Sequence, residues 1–219
     1  LLFVLLEMER KGALIDTSHL NKLSKDFGAK LLDLVKKIHA ASGSVFNIDS
    51  PKQLSEILFE KLEIDTKGLK KTSTGYFSTS EPVLQKLSDE NEIVKDILGY
   101  RSLAKLKSTY TDKISEICDQ NSRVHTSYHQ AVTSTGRLSS SDPNLQNIPI
   151  RTKEGITIRE AFIAPENKKI LAMDYSQIEL RLMAHYSQDP IMLNSFKNDE
   201  DIHKRTASEI FGIGIDEVN

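Results

Sequence analysis

Apolar positions along the first half of the chain recur at helical spacing. Leu20, Leu23, Phe27, Leu31, Leu34 and Ile38 step by three and four and predict a long amphipathic helix. Before it, Leu1 to Arg10 has a helical pattern with Val4, Leu5 and Met8 on one face, ended by Gly12. Leu14-Ile-Asp16 reads as a short extended link, and either Asp16 or Thr17 can cap the long helix. Ser42-Gly43-Ser44 breaks that helix. Ser50-Pro51-Lys52-Gln53 then forms a capping box with proline at the first helical position, and Leu54, Ile57 and Leu58 supply its apolar face. Thr66 to Ser80 sustains no apolar face and carries Gly68 and Gly75, so it predicts an exposed, mobile tip. Ser80-Glu81-Pro82 starts another helix. From Glu92 to Ile117 a long one turns Ile93, Ile97, Leu103, Leu106, Tyr110, Ile114 and Ile117 inward.

The period changes near Arg123. Val124 to Gln130 alternates like a strand, and Ile156-Thr-Ile158 and Phe162-Ile163 predict further short extended runs. The polar turn Asp119-Gln-Asn-Ser122 predicts a domain boundary near residues 120 to 123. Ile170 to Met173 is a short apolar run that reads as a buried strand. Helical spacing follows at once, with Ile178, Leu182 and His185 on one face and Leu180 and Met183 widening it. Ser176 with Glu179 makes a capping box at the start of that helix. Asp174 therefore falls at the carboxyl end of a strand, just before a helix. There it either helps the helix start or is presented rigidly to a metal ion or ligand. Asp189-Pro190 ends the helix, Ile191 to Phe196 forms a short one, and Asp201 caps a last one from Ile202 to Phe211, stopped by Gly212.

Composition narrows the picture only a little. The 219 residues suffice for one large or two small domains, and the formal charge of −2 gives no global basic signature. Nucleic-acid binding must therefore rest on local patches. One is the polar face of the Glu92–Ile117 helix, where Arg101, Lys105, Lys107 and Lys113 face a single acid, Asp112. Such a face is either solvated or a contact for phosphate backbone. The single cysteine, Cys118, excludes an internal disulfide and a cysteine-based zinc site, and reads as a core thiol. His125, His129 and His185 lack metal-ligand partners at useful spacing and read as structural. No apolar run approaches the length of a membrane span. With no Met at its start and a helix start at Ile215-Asp-Glu217 near its end, the chain reads as an excised piece.

Two stretches carry chemistry. Asp174-Tyr-Ser-Gln-Ile-Glu-Leu-Arg181 resembles the first catalytic palm motif of the family A DNA polymerases. Thr133-Ser-Thr-Gly-Arg-Leu-Ser-Ser-Ser-Asp-Pro-Asn-Leu-Gln-Asn-Ile-Pro149 resembles a second block of that family, in the matching order and separation. The resemblance implies an α+β fold: a helical thumb with a leading segment over 1–122, then over 123–219 the first part of a palm with a small antiparallel sheet and flanking helices. It implies DNA-directed DNA synthesis from dNTPs on a primer–template by a monomeric bacterial, cytoplasmic enzyme in replication and repair.

The same resemblance assigns residues. Asp174 would bind two Mg²⁺ ions, helped at one by the Tyr175 carbonyl, and the other catalytic carboxylate and the phosphate-binding fingers helix would come from a later segment. Ser176 and Gln177 would lie on the nucleotide side. Glu179 is the steric gate against a ribose 2′-hydroxyl, or simply the capping partner of Ser176. His203, with Lys204 and Arg205 at a helix N-terminus suited to anions, either contacts the triphosphate or is a surface residue. Thr133, Arg137, Asn144, Gln146 and Asn147 would meet DNA. Arg137 and the amides suit the acceptors that every base pair shows in the minor groove, although Asn144 and Asn147 read more readily as loop pins. Lys105 and Lys107 would meet the phosphates. Two alternatives stay open: a non-catalytic DNA-binding module, and a metal-dependent nuclease using Asp199-Glu200-Asp201, a run that reads as a solvated turn and cap.

Overall fold

The computed structural model describes residues 1–150 and 152–218. It is mostly helical, with two small antiparallel sheets among the described residues, and it divides into two compact units, Leu1–Lys169 and Ile170–Asn219.

The first unit is built on two long rods. α1 (Leu2–Lys11) ends at Gly12, whose φ of 63° and whose 2.7 Å clearance between an added Cβ and the Val124 carbonyl both require glycine. β1 (Ala13–Leu14) leads to α2 (Thr17–Ser42), capped by the Asp16 side chain, which accepts from the His19 N–H. Gly43 closes α2 in the left-handed region. α3 (Pro51–Ser55) starts as its sequence dictates, with Ser50 accepting from Gln53 N–H. The box is only half made, because the Gln53 side chain takes the Asn47 N–H instead. α3 continues into a π-helical turn, Glu56–Lys61. The expected tip, residues 66–80, is mostly exposed, yet it is folded back through a Lys71–Phe77 bridge and Phe77 packs edge-on against Phe59.

α4 (Glu81–Ser88) precedes the second rod. That rod is α5 (Glu92–Leu106), a π-helical segment Lys107–Asp112, and α6 (Lys113–Ile117). α2 and α5 lie side by side and feed two cores. Leu20 and Phe27 of α2 meet Leu103 and Leu106 of α5 in one, together with Tyr110, Ile114, Val124 and Ile158. Ile38 meets Val94 and Ile97 in the other, with Leu54, Leu58 and Leu84. Burying each such aliphatic side chain stabilises the fold by about 1.5–3 kcal/mol. Cys118 packs against the first core, and burial raises its thiol pKa.

The polar turn at 119–122 lies inside this unit. β2 (Arg123–Val124) pairs with β1, Ala13 opposite Val124, and Ile15 bridges to Phe162, so the chain on both sides of the turn shares one core. β3 (Ser127–His129) pairs with β4 (Ser139–Ser141), a strand of three serines with no apolar period to announce it. The extended run expected at Ile156-Thr-Ile158 is instead helical, within α7 (Lys153–Arg159). Thr152 caps it, accepting from Gly155 N–H, and Gly155 lets α7 approach Pro149 more closely than a Cβ would permit. Only Ile158 of the pair is buried; Ile156 faces out. The cap and the close approach outweigh the β-branched pair.

The second unit contains α8 (Ile178–Ser187), α9 (Pro190–Lys197), α10 (Ile202–Phe211) and a 3-10 turn, Ile215–Glu217.

Candidate active site and nucleic-acid interface

The stretch expected as a buried strand is neither a strand nor buried. Ile170, Leu171 and Met173 are 65%, 78% and 84% exposed, in an extended segment without ladder pairing. A strand needs its N–H and C=O groups paired, and no strand among the described residues belongs to this unit. Asp174 and Tyr175 stand at the end of this segment, both exposed.

The turn that follows differs from a capping box. Gln177, not Ser176, is the N-cap of α8, at φ 51° and ψ 36°, and it makes no side-chain cap bond. The inserted left-handed residue shifts the helix start by one, so Glu179 occupies the second helical position rather than the third that the box requires. The turn is held instead by Arg181, whose Nε donates to the Ser176 carbonyl at 3.0 Å and whose guanidinium lies 4.6 Å from the Phe196 ring centroid. The buried side of α8 is Ala184; Ile178, Leu182 and Met183, expected on an inward stripe, are exposed. His185 stacks edge-on with Tyr186.

α9 and α10 follow their sequence signals closely. Asp189 caps α9, accepting from Met192 N–H at 2.8 Å, with Pro190 in the first turn. Asp201 caps α10, accepting from the N–H groups of His203 at 2.8 Å and Lys204 at 3.3 Å. These bonds, His203 first, then the His203 charge and the Gln177 side chain, hold the Asp201 carboxyl below its ordinary pKa. The cap also changes the expected anion site. The first free N–H groups of α10 are occupied by Asp201, so an anion there would meet the exposed side chains of His203 and Lys204. Arg205 is engaged with Glu200 at 2.7 Å and Glu209 at 3.3 Å. Asp199-Glu200-Asp201 is thus a left-handed turn residue, an ion-paired acid and a cap. No group of three His, Cys, Asp or Glu side chains that could hold a metal occurs among the described residues.

In the first unit the second motif forms the β3–β4 connection and the loop after it. Thr133 Oγ1 donates to the Arg137 carbonyl, and Gly136 at φ 76° turns the chain between them, leaving Arg137 exposed on the tip. Asn144 Oδ1 accepts from Ser140 Oγ and from Gln146 N–H, both at 3.0 Å, the loop-pinning alternative. The Asn147 carbonyl accepts from Tyr110 O–H, which ties the loop to the second rod, while the Gln146 and Asn147 residues are exposed. His125 and His129 hold backbone and hydroxyl groups: His125 Nδ1 lies 2.7 Å from the Glu9 carbonyl and His129 Nε2 2.9 Å from Ser141 Oγ.

The basic face is less uniform than its sequence. Lys105 and Lys113 are exposed. Lys107 reaches Asp112 at 2.7 Å. Burial opposes ionisation of Asp112, but hydrogen bonds from Lys107 and Ser24 lower its pKa on balance. Arg101 turns to the Thr79 carbonyl and is partly buried, which lowers its pKa.

Comparison with known proteins decides the family: residues 17–219 match DNA polymerase family A. The chain belongs to that family. It is 52% identical over 218 residues to DNA polymerase I of Pseudomonas aeruginosa, covering 99% of this chain and 24% of that protein. DNA polymerase I of Bacillus subtilis is 50% identical over 220 residues, with 100% and 25% covered. The chain thus spans about a quarter of the length of these relatives. Among solved structures, the polymerase domain of Pol1 from M. smegmatis, in complex with DNA primer-template and dNTP, is similar at a TM-score of 0.86 and 39% identity, covering 98% of this chain and 38% of that one.

The family A match includes both motif stretches and the Asp201–His203 cap. Two contributors were missed by sequence reasoning. Tyr110 reads as one more inward position of a helix, and nothing in its spacing tells that its hydroxyl pins Asn147. Arg181 reads as the polar end of a motif, although an arginine at the fourth helical position after a turn is well placed to reach back to a carbonyl. No helix among the described residues is long and apolar enough to cross a membrane.

Proposed function

We propose that this chain is the thumb (residues 1–122) and first palm portion (residues 123–219) of a DNA-directed DNA polymerase, acting on primer–template DNA and dNTPs with Mg²⁺ in a bacterial cytoplasm. The observation that carries the reading is the exposed Asp174 turn, set in the motif on which the family resemblance rests and in the same compact unit as the Asp201-capped helix start that bears His203.

The donor chemistry fits a hard divalent ion in kind: a carboxylate at Asp174 and the Tyr175 carbonyl are oxygen ligands of the sort Mg²⁺ takes. Two such ions, when bound, activate the attacking 3′-hydroxyl and stabilise the leaving oxygen. Asp174 is one carboxylate of that set; the family resemblance places the other in a later segment, and no group of three His, Cys, Asp or Glu side chains that could hold a metal occurs among the described residues. The chain by itself is accordingly expected to bind duplex DNA weakly and to synthesise none. Its own residues do the remaining work. His203 donates to the triphosphate, Glu179 fills the space a 2′-hydroxyl would take, and Ser176 and Gln177 hold the turn beside the nucleotide. Arg137, with Gln146 and Asn147, meets minor-groove acceptors at the primer end. Lys105 and Lys113 meet phosphates; Lys107 would first have to leave Asp112.

The test is a chimera in which this chain replaces its 218-residue counterpart in the P. aeruginosa enzyme. Primer extension by the chimera is expected, with loss of roughly a hundredfold or more in Asp174→Asn, comparable to removing one transition-state contact. Ribonucleotide incorporation should rise in Glu179→Ala. A chimera that binds primer–template but never extends it, beside an active parent, would point to the non-catalytic module instead.

A further inference from the structure

The turn behind Asp174 is held in a backbone conformation that its sequence does not favour. Gln177 carries a Cβ and yet sits in the left-handed region, where L-residues other than glycine meet steric cost. Such positions persist when their surroundings over-determine them, and they collect at functional sites. Here Arg181 does much of that. Its backbone N–H donates to the Gln177 carbonyl at 3.0 Å, the first bond of α8. Its Nε donates to the Ser176 carbonyl, also at 3.0 Å, and so holds the group that the left-handed residue turns out of line with the helix. The guanidinium is itself fixed from behind by the face of Phe196 on α9, 4.6 Å to the ring centroid. An exposed arginine on a helix normally has many rotamers; this one is spent on a carbonyl one residue from Tyr175 and two from Asp174.

We propose that Arg181 is a positioning residue for the Asp174 turn, with Phe196 fixing the plane from which it acts; this rests on the reading of Asp174 as a catalytic carboxylate. The Arg181–Ser176 bond sets the direction in which the chain leaves Asp174 and Tyr175 and enters α8. Loss of the bond frees the torsions between Tyr175 and Ile178 and lets the carboxylate swing. Lysine is a poor replacement, because it offers neither the in-plane Nε–H nor a flat group for the ring.

The test uses the chimeric polymerase and has two independent readouts. The first is kinetic: kcat, KM for dNTP, half-saturating Mg²⁺ and duplex Kd for Arg181→Ala, Arg181→Lys and Phe196→Leu, beside Asp174→Asn. The second is hydrogen exchange of the peptide containing residues 174–179, which needs no activity. Arg181→Ala is expected to lower kcat by roughly 10–100-fold, as loss of groups that orient a metal ligand does, and to raise half-saturating Mg²⁺, with duplex Kd unchanged. Exchange at 174–179 should quicken while α10 keeps its protection. Arg181→Lys should recover part of both effects, and Phe196→Leu should show both more weakly. A variant that only lowers the thermal midpoint, with kcat, Mg²⁺ dependence and turn exchange unchanged, overturns the proposal and leaves Arg181 a packing residue. Full activity in Asp174→Asn would instead remove the catalytic reading, while the exchange result would still decide whether Arg181 holds the turn.

Discussion

Residues 1–169 and 170–218 use apolar side chains in opposite ways. Every member of the two buried clusters lies in the first stretch, where α2 and α5 hide their stripes against each other and against α3, α4 and α7. In the second, Ala184, Ile202 and Ser195 are buried, whereas Leu171, Met173, Leu182 and Met183 face solvent. Hydropathy is not what separates them, since both carry amphipathic helices with proper caps. The lesson is that an apolar pattern states what a segment is built to touch. In 1–169 the same unit supplies the touching partner, and in 170–218 much of the apolar surface is exposed.

The largest expected effect tests this directly. Ile97→Ala empties a fully buried position between α5 and α2 and should cost about 2–5 kcal/mol of unfolding free energy in a urea titration. Leu182→Ala removes a half-exposed side chain and should change stability by no more than about 0.5 kcal/mol. Equal losses would break the contrast, because they would mean that Leu182 is packed in solution. Gly155→Ala sharpens it at a lower level. Its Cβ would lie 2.6 Å from Pro149 Cβ and 2.9 Å from the Pro149 carbonyl oxygen. Overpacking of this kind costs about 1–3 kcal/mol, so the variant should unfold at lower urea, and a neutral result would show that α7 can back away from Pro149.

The same contrast explains what could be read in advance. Helix ends were legible at Asp16 and Asp201, which accept the bonds their positions promise, and at Asp189-Pro190, where α8 has stopped and α9 begins. The spacing of Leu20 to Ile38 placed the long rod for the same reason, because both its partners are in the chain. Three features were not legible. The π-helical segments add one residue per turn without any sequence mark. Ile156 and Ile158 alternate like a strand, and only the Thr152 cap and the Gly155 approach make them helical. Ser176 and Glu179 have capping-box spacing, but Gln177 takes the left-handed region and shifts the helix start by one. Of the candidate site, the motif residues could be named from sequence, whereas the contacts that hold them could not.

A third effect is confined to the first unit. His125 stitches α1 to the turn at 119–122 through the Glu9 carbonyl at 2.7 Å and Asp119 at 3.3 Å, with Arg123 nearby donating to the Lys11 and Gly12 carbonyls. The Glu9 carbonyl, then Asp119, raises the His125 pKa above its ordinary 6.5, despite the opposing charge of Arg123. Asp119 is lowered below its ordinary 3.8, first by the Arg123 N–H and then by His125 and Asn121. A raised histidine contributes stability that is fully present below pH 6.5 and is lost as pH rises through the folded value. A lowered aspartate contributes stability above pH 3.8 that is lost as pH falls through its own lower folded value. The attachment of α1 should therefore be firmest between those limits and loosen on the alkaline side. Hydrogen exchange of the α1 amides from pH 6 to pH 9, corrected for intrinsic rates, should show rising local opening in the parent chain and a flat profile in His125→Gln. A flat parent profile would mean that the histidine stays neutral throughout.

The smallest effect separates the two kinds of lysine on the second rod. Cations that neutralise phosphates release counterions, so each contributes about 0.9 to the slope of log affinity against log salt. Lys105 and Lys113 are exposed and able to do this, whereas the Lys107 ammonium already lies 2.7 Å from Asp112, and Ser24 shares that carboxylate at 2.6 Å. Replacing Lys105 and Lys113 together with Gln should flatten the salt slope of duplex binding by about 2, nearly independent of DNA sequence. Lys107→Gln should leave the slope close to the parent's, because a side chain neutralised internally has few counterions to release. It should instead lower stability slightly, by about 0–1 kcal/mol, the range of a solvent-screened ion pair. A slope that falls as much for Lys107→Gln as for Lys105→Gln would show that duplex DNA pulls Lys107 away from Asp112, placing the π-helical segment itself on the phosphate backbone.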